Sequence, residues 1–240
     1  MPGTLAGKTA IVTGSSKGIG YAIAEALARE DANVVVNARN AQEVQLAAER
    51  LDPLGSGHVA AVPGDMRSYH DVKTMIGAAL DLGGLDVLVN NAGVGGFAPV
   101  DQLTVEQWDS IIGTNLTGVF YACREAVPHM RSRGGGWIIN IGSLAGKNPF
   151  AGGAAYNASK FGLLGFSEAM MLDVREDGIR VCCVMPGSVN TYFNDKKPDP
   201  ANDWMIQPQD IARIVMDLLE FPENALPSRI EVRPTRPGRR

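Results

Sequence analysis

Short apolar segments alternate with longer segments of helical periodicity along the whole chain. Several of the short segments are rich in β-branched residues and apolar almost throughout, as strands covered by helices on both faces must be. The predicted strands are Thr9–Thr13, Asn33–Asn37, Val59–Val62, Leu85–Asn90, Trp137–Ile141, Ile179–Met185 and Arg229–Val232. The predicted helices between them are Ile19–Glu30, Ala41–Leu51, Tyr69–Leu80, Thr104–Arg131, Tyr156–Glu176 and Pro208–Leu219.

This alternation predicts an α/β fold class: a single-domain Rossmann fold over residues 1–240, whose doubly wound, seven-stranded parallel sheet carries helices on both faces. The polar segment 192–207 follows the sixth strand, at the sheet edge where ligands bind. It is expected to form a short substrate lid, with a plain surface loop as the alternative. Residues 233–240 carry four arginines and no acid, and we expect a solvated basic tail there.

Composition and charge narrow the possible partners. The 240 residues are 45% hydrophobic, which is enough to bury one substantial core and excludes global disorder. Lys and Arg number 22 against 26 Asp and Glu, so nucleic acid is not an expected partner. No apolar run reaches the roughly 18 residues of a membrane span, so no membrane contact is expected. Three cysteines and three scattered histidines suggest no disulfide framework and no metal site, and a cytoplasmic location is expected.

Glycine is unusually common, at 28 of the 240 residues, against an ordinary share of about 7%. Several glycines fall in TGSSKGIG, which runs from Thr13 to Gly20 between the first predicted strand and the first predicted helix. Glycines here permit a tight turn and let the backbone approach a pyrophosphate, while the helix amino terminus presents unpaired N–H groups. The segment predicts a dinucleotide cradle, and an ordinary glycine turn is the alternative.

The end of the second strand distinguishes NAD(H) from NADP(H). An NAD site places a carboxylate there, about 20 residues after the glycines, to accept a hydrogen bond from the ribose 2′-hydroxyl. This chain has Asn37, Ala38 and Arg39 instead. Arg39 can pair with a 2′-phosphate and Lys17 can add a second charge, so NADP(H) is the predicted cofactor. Two solvated surface cations are the alternative.

A tyrosine and a lysine lie four residues apart near the start of the fifth predicted helix. Tyr156 and Lys160 therefore share one face of that helix. A phenol titrates near about 10, too high for ready proton exchange at neutral pH, and a nearby ammonium lowers that pKa. By itself, the spacing is also typical of two helix-surface residues.

Together these motifs resemble the short-chain dehydrogenase/reductase family. The glycine loop, Asn90-Asn91-Ala92-Gly93, Asn115 in NLTG, Ser143, the Tyr156/Lys160 pair and Pro186-Gly187 occur in the family's order. The resemblance runs from about Lys8 to the last helix, and the sequence is similar to 3-oxoacyl-carrier-protein reductases.

The resemblance implies four catalytic residues. Tyr156 is expected to donate a proton to the substrate carbonyl oxygen as hydride arrives from the nicotinamide, and Ser143 to hydrogen-bond that oxygen. Lys160 is expected to lower the tyrosine pKa and to hold the nicotinamide ribose. Asn115, through its main chain and a water, is expected to connect Lys160 to solvent.

The resemblance also implies the cofactor contacts, with Asp65 and Met66 at the adenine. The residues at the adenosine ribose are Asn91, Ala92 and Gly93, and those at the nicotinamide are Pro186, Gly187, Val189 and Thr191. The full predicted set is Gly14, Ser16, Lys17, Gly18, Ile19, Gly20, Asn37, Arg39, Asp65, Met66, Asn91, Ala92, Gly93, Tyr156, Lys160, Pro186, Gly187, Val189 and Thr191. An ordinary turn role is the alternative for Asp65 and for Thr191.

The predicted function is NADPH-dependent reduction of a ketone to a secondary alcohol, with a 3-oxoacyl thioester among the candidate substrates. Apolar loop residues suggest an apolar small molecule; the predicted substrate contacts are Ser143, Leu144, Phe150, Tyr156, Tyr192 and Phe193, with Phe97 in a neighbouring loop. The alternatives are oxidation of an alcohol, polyol, hydroxy acid or steroid and, more remotely, a non-catalytic nucleotide-binding protein.

Two kinds of protein partner are considered. Arg124, Arg131 and Arg133 could dock an acidic carrier protein, with a solvated helix face as the alternative. The resemblance implies a homo-oligomer paired through the helices Thr104–Arg131 and Tyr156–Glu176. The last strand lacks the Asp-Gly-Gly ending of many relatives, which leaves dimer and tetramer both open.

The connection after Pro186-Gly187 is short, which predicts a more open pocket.

Overall fold

Seven parallel strands form one sheet in the computed structural model, which describes residues 3–236. The strands are β1 (Thr9–Thr13), β2 (Asn33–Ala38), β3 (Val59–Pro63), β4 (Val87–Asn90), β5 (Gly136–Ile141), β6 (Ile179–Pro186) and β7 (Arg229–Val232). Their order is β3-β2-β1-β4-β5-β6-β7, and all neighbours pair in parallel. The predicted fold class is confirmed.

Seven α-helices within residues 3–236 cover the two faces of the sheet. They are α1 (Gly18–Arg29), α2 (Ala41–Leu51), α3 (Tyr69–Asp81), α4 (Val105–Ile112), α5 (Gly118–Ser132), α6 (Ala154–Val174) and α7 (Pro208–Leu219). Alternate side chains of β1 serve opposite faces: Ala10 and Val12 pack with α1, α2 and α7, whereas Ile11 packs with α3, α5 and α6. Burial on both faces explains why the central strands are apolar almost throughout.

The chain reverses its direction across the sheet between β1 and β4. It adds β2 and β3 on one side of β1, then crosses to the other side and adds β4 to β7 in turn. Connections that diverge in this way leave a crevice at the carboxyl ends of the strands. The segments that follow β1, β4, β5 and β6 all open onto one cleft at this edge.

The predicted helix Thr104–Arg131 is interrupted by a π-helical turn, Gly113–Thr117, between α4 and α5. The turn brings the Asn115 side chain to the backbone of Val94, with which it forms a hydrogen bond in each direction. Directly after it, Gly118 lies so close to Met66 that a Cβ would come within 2.6 Å of the Met66 carbonyl oxygen. Such tertiary contacts favour a local wide turn that helical periodicity does not reveal.

The segment between β6 and α7 folds back on itself. It contains two 3₁₀ turns, Phe193–Asp195 and Pro200–Asn202. At its base, the Asn190 N–H donates to the Ile206 carbonyl at 2.9 Å. The Asn190 side chain also bonds both backbone groups of Asp199, at 3.0 and 3.1 Å. The segment predicted as a lid is thus tied at its base and at Asp199, and the parts near its two ends line the cleft through Tyr192, Phe193, Asn194, Lys196, Trp204 and Met205.

The sequence predicts no membrane span, no metal site and no disulfide framework. Within residues 3–236, no helix is both long and apolar enough to cross a membrane. The same part of the chain contains no cluster of three or more His, Cys, Asp or Glu side chains placed to hold a metal ion. Cys123, Cys182 and Cys183 are buried free thiols. Of the predicted basic tail, Pro237–Arg240 lies outside the described residues.

A buried chain of polar side chains joins the sheet to α6. The Asn90 amide N–H donates to Asn140 Oδ1 at 2.8 Å, and the Asn140 amide N–H donates to Ser167 Oγ at 2.8 Å. Ser167 in turn donates to the Leu163 carbonyl within α6, at 2.6 Å. Asn90, Asn140 and Ser167 are each at most 2% exposed. Since α6 carries Tyr156 and Lys160, this chain helps to fix the height of both residues above the sheet.

We predict that Asn140→Ala destabilises the protein by about 2 to 4 kcal/mol, because it removes the two buried hydrogen bonds that Asn140 makes with Asn90 and Ser167 and also removes packing volume. The measurement is equilibrium unfolding in urea. Asn148→Ala, at an exposed position, is the matched control and is expected to change stability by less than about 1 kcal/mol. Equal stability of the two variants would show that the buried chain contributes nothing.

Candidate active site

The glycine loop after β1 forms a tight backbone cradle. Gly14 has φ +63°, a conformation that favours glycine. A Cβ on Gly20 would lie closer than 3.0 Å to the Gly14 carbonyl oxygen and to the Asn91 amide nitrogen. The loop is thus packed too closely for side chains at these points. It leads directly into α1, whose first turn has no side-chain cap, so its N–H groups remain available to an anion.

Hydrogen bonds join this loop to the segment that follows β4. Thr13 Oγ1 accepts from the backbone N–H groups of Asn91 and Ala92, both at 3.0 Å. The Asn91 amide N–H donates to the carbonyls of Thr13 at 2.9 Å and Gly14 at 3.0 Å. Asn91 therefore holds the glycine loop in place, a structural use of a residue that was predicted as a ribose contact.

The end of the cleft beside α2 is lined by charged side chains from the glycine loop, from the residue after β2 and from α2. They are Lys17, Arg39 and Glu43. Lys17 Nζ lies 3.5 Å from Glu43 Oε2, and Ser16 Oγ donates to the same oxygen at 3.2 Å. The Asn37 amide instead donates to the Val62 carbonyl at 2.9 Å, tying β2 to β3.

Asp65 lies at the end of β3, where the sequence predicts an adenine contact. Arg67 holds it in place, with Nη2 donating to Asp65 Oδ2 at 2.6 Å. Hydrogen bonds from the Arg67 side chain lower the pKa of Asp65, and the Arg39 guanidinium contributes a smaller effect in the same direction. Asp65 is therefore a carboxylate at neutral pH and a permanent hydrogen-bond acceptor.

Tyr156 lies near the start of α6 and is 9% exposed. Burial raises the pKa of its phenol, and a hydrogen bond with the Ser143 side chain opposes this in part. Lys160 Nζ lies 5.9 Å from the ring centroid and donates to the Ile141 carbonyl at 2.9 Å, so the lowering of this pKa by Lys160 stays a prediction. Tyr156 is consequently a neutral phenol at neutral pH, able to donate a proton.

Lys160 is a buried cation, 5% exposed, on the same face of α6. Burial lowers its pKa to about 8, with the neighbouring Cys183 thiol acting weakly in the opposite direction. A lysine with this pKa is mostly charged at neutral pH and loses its proton as the pH rises through about 8. It can therefore exchange a proton close to physiological pH.

Asn115 is buried behind the cleft, in the π-helical turn. Its side chain accepts from the Val94 N–H at 2.8 Å and donates to the Val94 carbonyl at 2.9 Å and to Ser159 Oγ at 3.0 Å. Because these bonds use both ends of the amide, only the main chain of Asn115 is left to serve other groups. That Asn115 acts through its backbone stays a prediction.

Asn157 is a positioning residue that sequence reasoning missed. It follows Tyr156 in α6, and its amide N–H donates to the Ala145 carbonyl at 2.7 Å. This bond ties the turn after Ser143 to the helix that carries Tyr156, so the two hydroxyl groups keep their relative positions. The only signal in the sequence was an asparagine in the first turn of a helix with no side-chain cap.

Aromatic rings surround the phenol of Tyr156. The Phe97 ring meets it edge to face at a centroid distance of 5.7 Å, and Phe193, in the lid segment, lies 5.5 Å away. Phe150 packs against Phe97 at 5.4 Å. Tyr192 lies beneath Lys17, with the ammonium 5.6 Å from the ring centroid. Segment 192–207 thus contacts both Tyr156 and the glycine loop.

Most of the predicted site residues line this single cleft, whose volume is about 1120 Å³. The exceptions are Gly18, Gly20 and Asn115, which lie directly behind it. Glu43, Trp204, Arg233 and Pro234 also line the cleft and were not predicted. Arg233 and Pro234 belong to the segment predicted as a solvated tail; chain topology, which brings the end of β7 beside β6, places them there.

Comparison with known proteins identifies the family. Residues 8–202 match the model of the short chain dehydrogenase family, and the chain belongs to that family. It is 40% identical over 214 residues to a D-beta-hydroxybutyrate dehydrogenase of Rhizobium meliloti (strain 1021), with 87% of this chain and 82% of that protein covered. The family that the sequence motifs suggested is therefore confirmed.

Two solved structures share the fold over nearly their whole length. An alcohol dehydrogenase from the archaeon Thermococcus sibiricus, complexed with 5-hydroxy-NADP, has a TM-score of 0.89 at 28% identity, covering 97% of this chain and 99% of that one. A metagenomic short-chain oxidoreductase in complex with NADP has a TM-score of 0.85 at 36% identity, with 97% and 99% covered. The chain is an oxidoreductase of the NAD(P)(H)-using class.

We predict that Gly20→Ala weakens NADPH binding by at least about tenfold, because the new Cβ must displace the Gly14 carbonyl and with it the cradle. The measurement is a fluorescence titration of the dissociation constant. Gly77→Ala, in α3, is the matched control, since its Cβ would meet nothing within 4 Å. Should both variants bind NADPH equally well, the loop would not be the cradle.

Proposed function

We propose that this protein is an NADP(H)-dependent reductase that converts a ketone to a secondary alcohol, with Tyr156 as proton donor. The observation that carries the proposal is the convergence of Ser143, a neutral Tyr156 and a buried Lys160 at the mouth of a glycine-lined cradle. Isolated elements of this set occur in many proteins, but together they supply every group that carbonyl reduction requires apart from the hydride.

The cradle fits a dinucleotide. A Cβ on glycines of this loop would collide with backbone, and the amino terminus of α1 is uncapped, which together suit a pyrophosphate. The two cations at one end of the cleft suit a phosphorylated ribose. The residues that would hold the cofactor are Gly14, Ile19, Asp65, Gly93 and Val189, with the remainder of the predicted set. When bound, NADPH supplies the hydride, and the protein has to bind, orient and protonate.

The side chains around Tyr156 perform the proton chemistry. Ser143 Oγ can donate to the substrate carbonyl oxygen and so stabilise the charge that develops there. Tyr156 donates its phenolic proton to the same oxygen, which becomes the alcohol hydroxyl. Burial favours the neutral phenol before this step, and the Lys160 ammonium stabilises the phenolate after it.

Lys160 and the π-helical turn provide a way to return the proton to Tyr156. With a pKa of about 8, the lysine can release and regain a proton near neutral pH. The main chain of Asn115 is the group that connects Lys160 to solvent in this proposal, because the Asn115 amide is fully used by Val94 and Ser159.

Lys17 and Arg39 support NADP(H) as the preferred cofactor. Both line the proposed adenosine end of the cleft, where a 2′-phosphate would carry about two negative charges. Both structural neighbours contain a phosphorylated dinucleotide: 5-hydroxy-NADP in the archaeal alcohol dehydrogenase and NADP in the metagenomic oxidoreductase.

Aromatic walls favour an apolar group on the substrate. Phe97, Phe150 and Phe193 surround Tyr156, and we propose that segment 192–207 acts as the lid that closes over this group. A 3-oxoacyl thioester remains one candidate. Ion pairs with Asp177 and Asp86 engage Arg131 and Arg133, so a docking site for an acidic carrier has little support, and a free small molecule is proposed.

A second candidate is oxidation of a hydroxy acid or another secondary alcohol by the same residues. The relative from Rhizobium meliloti, 40% identical, is named as a dehydrogenase of D-beta-hydroxybutyrate. In that direction Tyr156 has to be a phenolate in order to accept the proton. Its raised pKa disfavours the phenolate at neutral pH, and a rise in pH makes the phenolate more abundant.

The test is turnover of NADPH with a panel of small ketones, 3-oxo acids and 3-oxoacyl thioesters. Tyr156→Phe is expected to lower kcat by about 10²- to 10⁴-fold, since the proton donor is lost. Its dissociation constant for NADPH is expected to change by less than about threefold. Tyr69→Phe, on α3, is the control. Unchanged turnover in Tyr156→Phe would refute the assignment of the donor.

We also propose that the protein is a homo-oligomer paired through α4, α5 and α6. Large apolar side chains on these helices are exposed, including Trp108 at 41%, Phe120 at 42%, Phe161 at 44% and Leu172 at 58%. Such a surface is costly to leave in water and favours association.

Light scattering is expected to give a mass two or four times that of the 25.5 kDa chain. Phe161→Glu is expected to shift the protein toward the monomer, because it places a charge in the apolar surface. Leu46→Glu, on the distant helix α2, is the control. A monomeric wild-type protein at micromolar concentration would contradict the proposal.

A further inference from the structure

A carboxylate lies among the groups that would recognise a 2′-phosphate. Glu43 lines the cleft beside Lys17 and Arg39. It pairs with Lys17 Nζ at 3.5 Å and accepts a hydrogen bond from Ser16 Oγ at 3.2 Å. Two of the donors available to a phosphate are therefore already engaged by an acid of the protein itself.

The local structure holds this carboxylate in position. Glu43 is the third residue of α2, and its backbone N–H donates to the side chain of the capping residue Asn40 at 3.1 Å. An acidic side chain in the first turn of a helix is favoured by the helix dipole. The cap thus fixes the backbone of Glu43 at the amino end of α2, from which its side chain reaches Lys17 and Ser16.

The pair with Lys17 is weak enough to be exchanged. The Lys17 side chain is 52% exposed and that of Glu43 is 45% exposed. Pairs this accessible to water contribute little and are screened by salt. A ligand group that binds both Lys17 and Arg39 can therefore displace the carboxylate from Lys17 and Ser16.

We infer that Glu43 competes with the 2′-phosphate for Lys17 and Ser16 and accepts a hydrogen bond from the ribose 2′-hydroxyl when no phosphate is present. The protein consequently uses both NADP(H) and NAD(H), with only a modest preference for the phosphorylated form. This inference rests on the proposed function, in which Lys17 and Arg39 bind the 2′-phosphate.

The charges explain the expected direction. The ion pair of Asp65 with Arg67 adds no net charge, so Lys17, Arg39 and Glu43 leave one positive charge here, whereas Lys17 and Arg39 without Glu43 would leave two. A phosphate monoester carries about two negative charges at neutral pH, so the carboxylate repels it while leaving a net attraction. A ribose without the phosphate is uncharged and is not repelled. Its 2′-hydroxyl can donate to Glu43, which replaces the carboxylate acceptor that the end of β2 lacks.

The test compares dissociation constants of wild type and Glu43→Gln for NADPH, NADH, 2′,5′-ADP and ADP, by calorimetry. Glu43→Gln is expected to tighten NADPH and 2′,5′-ADP by about three- to tenfold. ADP and NADH are expected to weaken by about two- to fivefold, because the charged acceptor of their 2′-hydroxyl is lost. Raising the salt concentration should shrink the gain for NADPH, because the repulsion that was removed is electrostatic.

Glu49→Gln is the matched control, an exposed carboxylate in the same helix that hydrogen-bonds only Gln45, at 3.0 Å. Arg39→Ala separates the two claims, since it is expected to weaken NADPH selectively. If Arg39→Ala does so while Glu43→Gln and Glu49→Gln both retain the wild-type ratio of NADPH to NADH affinity, the role of Glu43 is refuted and the cofactor assignment stands. If wild type binds NADH much more tightly than NADPH and Arg39→Ala changes neither, the cofactor assignment itself fails.

Discussion

The candidate site depends on the hydrogen bonds that join the ends of β1 and β4. Thr13 Oγ1 accepts from the backbone of Asn91 and Ala92, and the Asn91 amide returns two bonds to Thr13 and Gly14. These two strands flank the point where the sheet reverses its direction, so their connections diverge and open a crevice. The bonds across it extend the pairing of β1 with β4 beyond the strands and hold the glycine loop against the segment after β4.

Burial then determines the chemistry available in the crevice. Tyr156 and Lys160 share one face of α6 and are both buried, yet burial shifts their pKa values in opposite directions. It raises the pKa of the phenol and lowers that of the ammonium to about 8, since each neutral form is favoured in a medium of low polarity. The two groups, whose pKa values are similar in water, are thereby moved apart, so Tyr156 keeps its proton in the pH range where Lys160 begins to lose its own.

The two ends of the cleft differ in how firmly they are built. Around Ser143 and Lys160, buried bonds from Asn157 and Asn115 fix the neighbouring segments. At the other end, exposed charges on Lys17 and Glu43 form a contact that water screens. Segment 192–207 reaches both ends, with Phe193 against Tyr156 and Tyr192 beneath Lys17. The surroundings of Tyr156 and Lys160 are thus fixed by buried bonds, whereas the charged side chains at the other end can rearrange.

The sequence by itself determined the fold, the family and most of the cleft, because strand and helix periods, glycine positions and the Tyr156/Lys160 spacing are local properties. Only the tertiary structure decided what depends on the surroundings of a residue. The π-helical turn at Asn115 arises from contacts with Val94, the raised pKa of Tyr156 from burial, and the presence of Arg233 in the cleft from the pairing of β7 with β6. Glu43 lies in an ordinary helical first turn, and no local pattern reveals that it faces Lys17, because that contact joins two segments 26 residues apart.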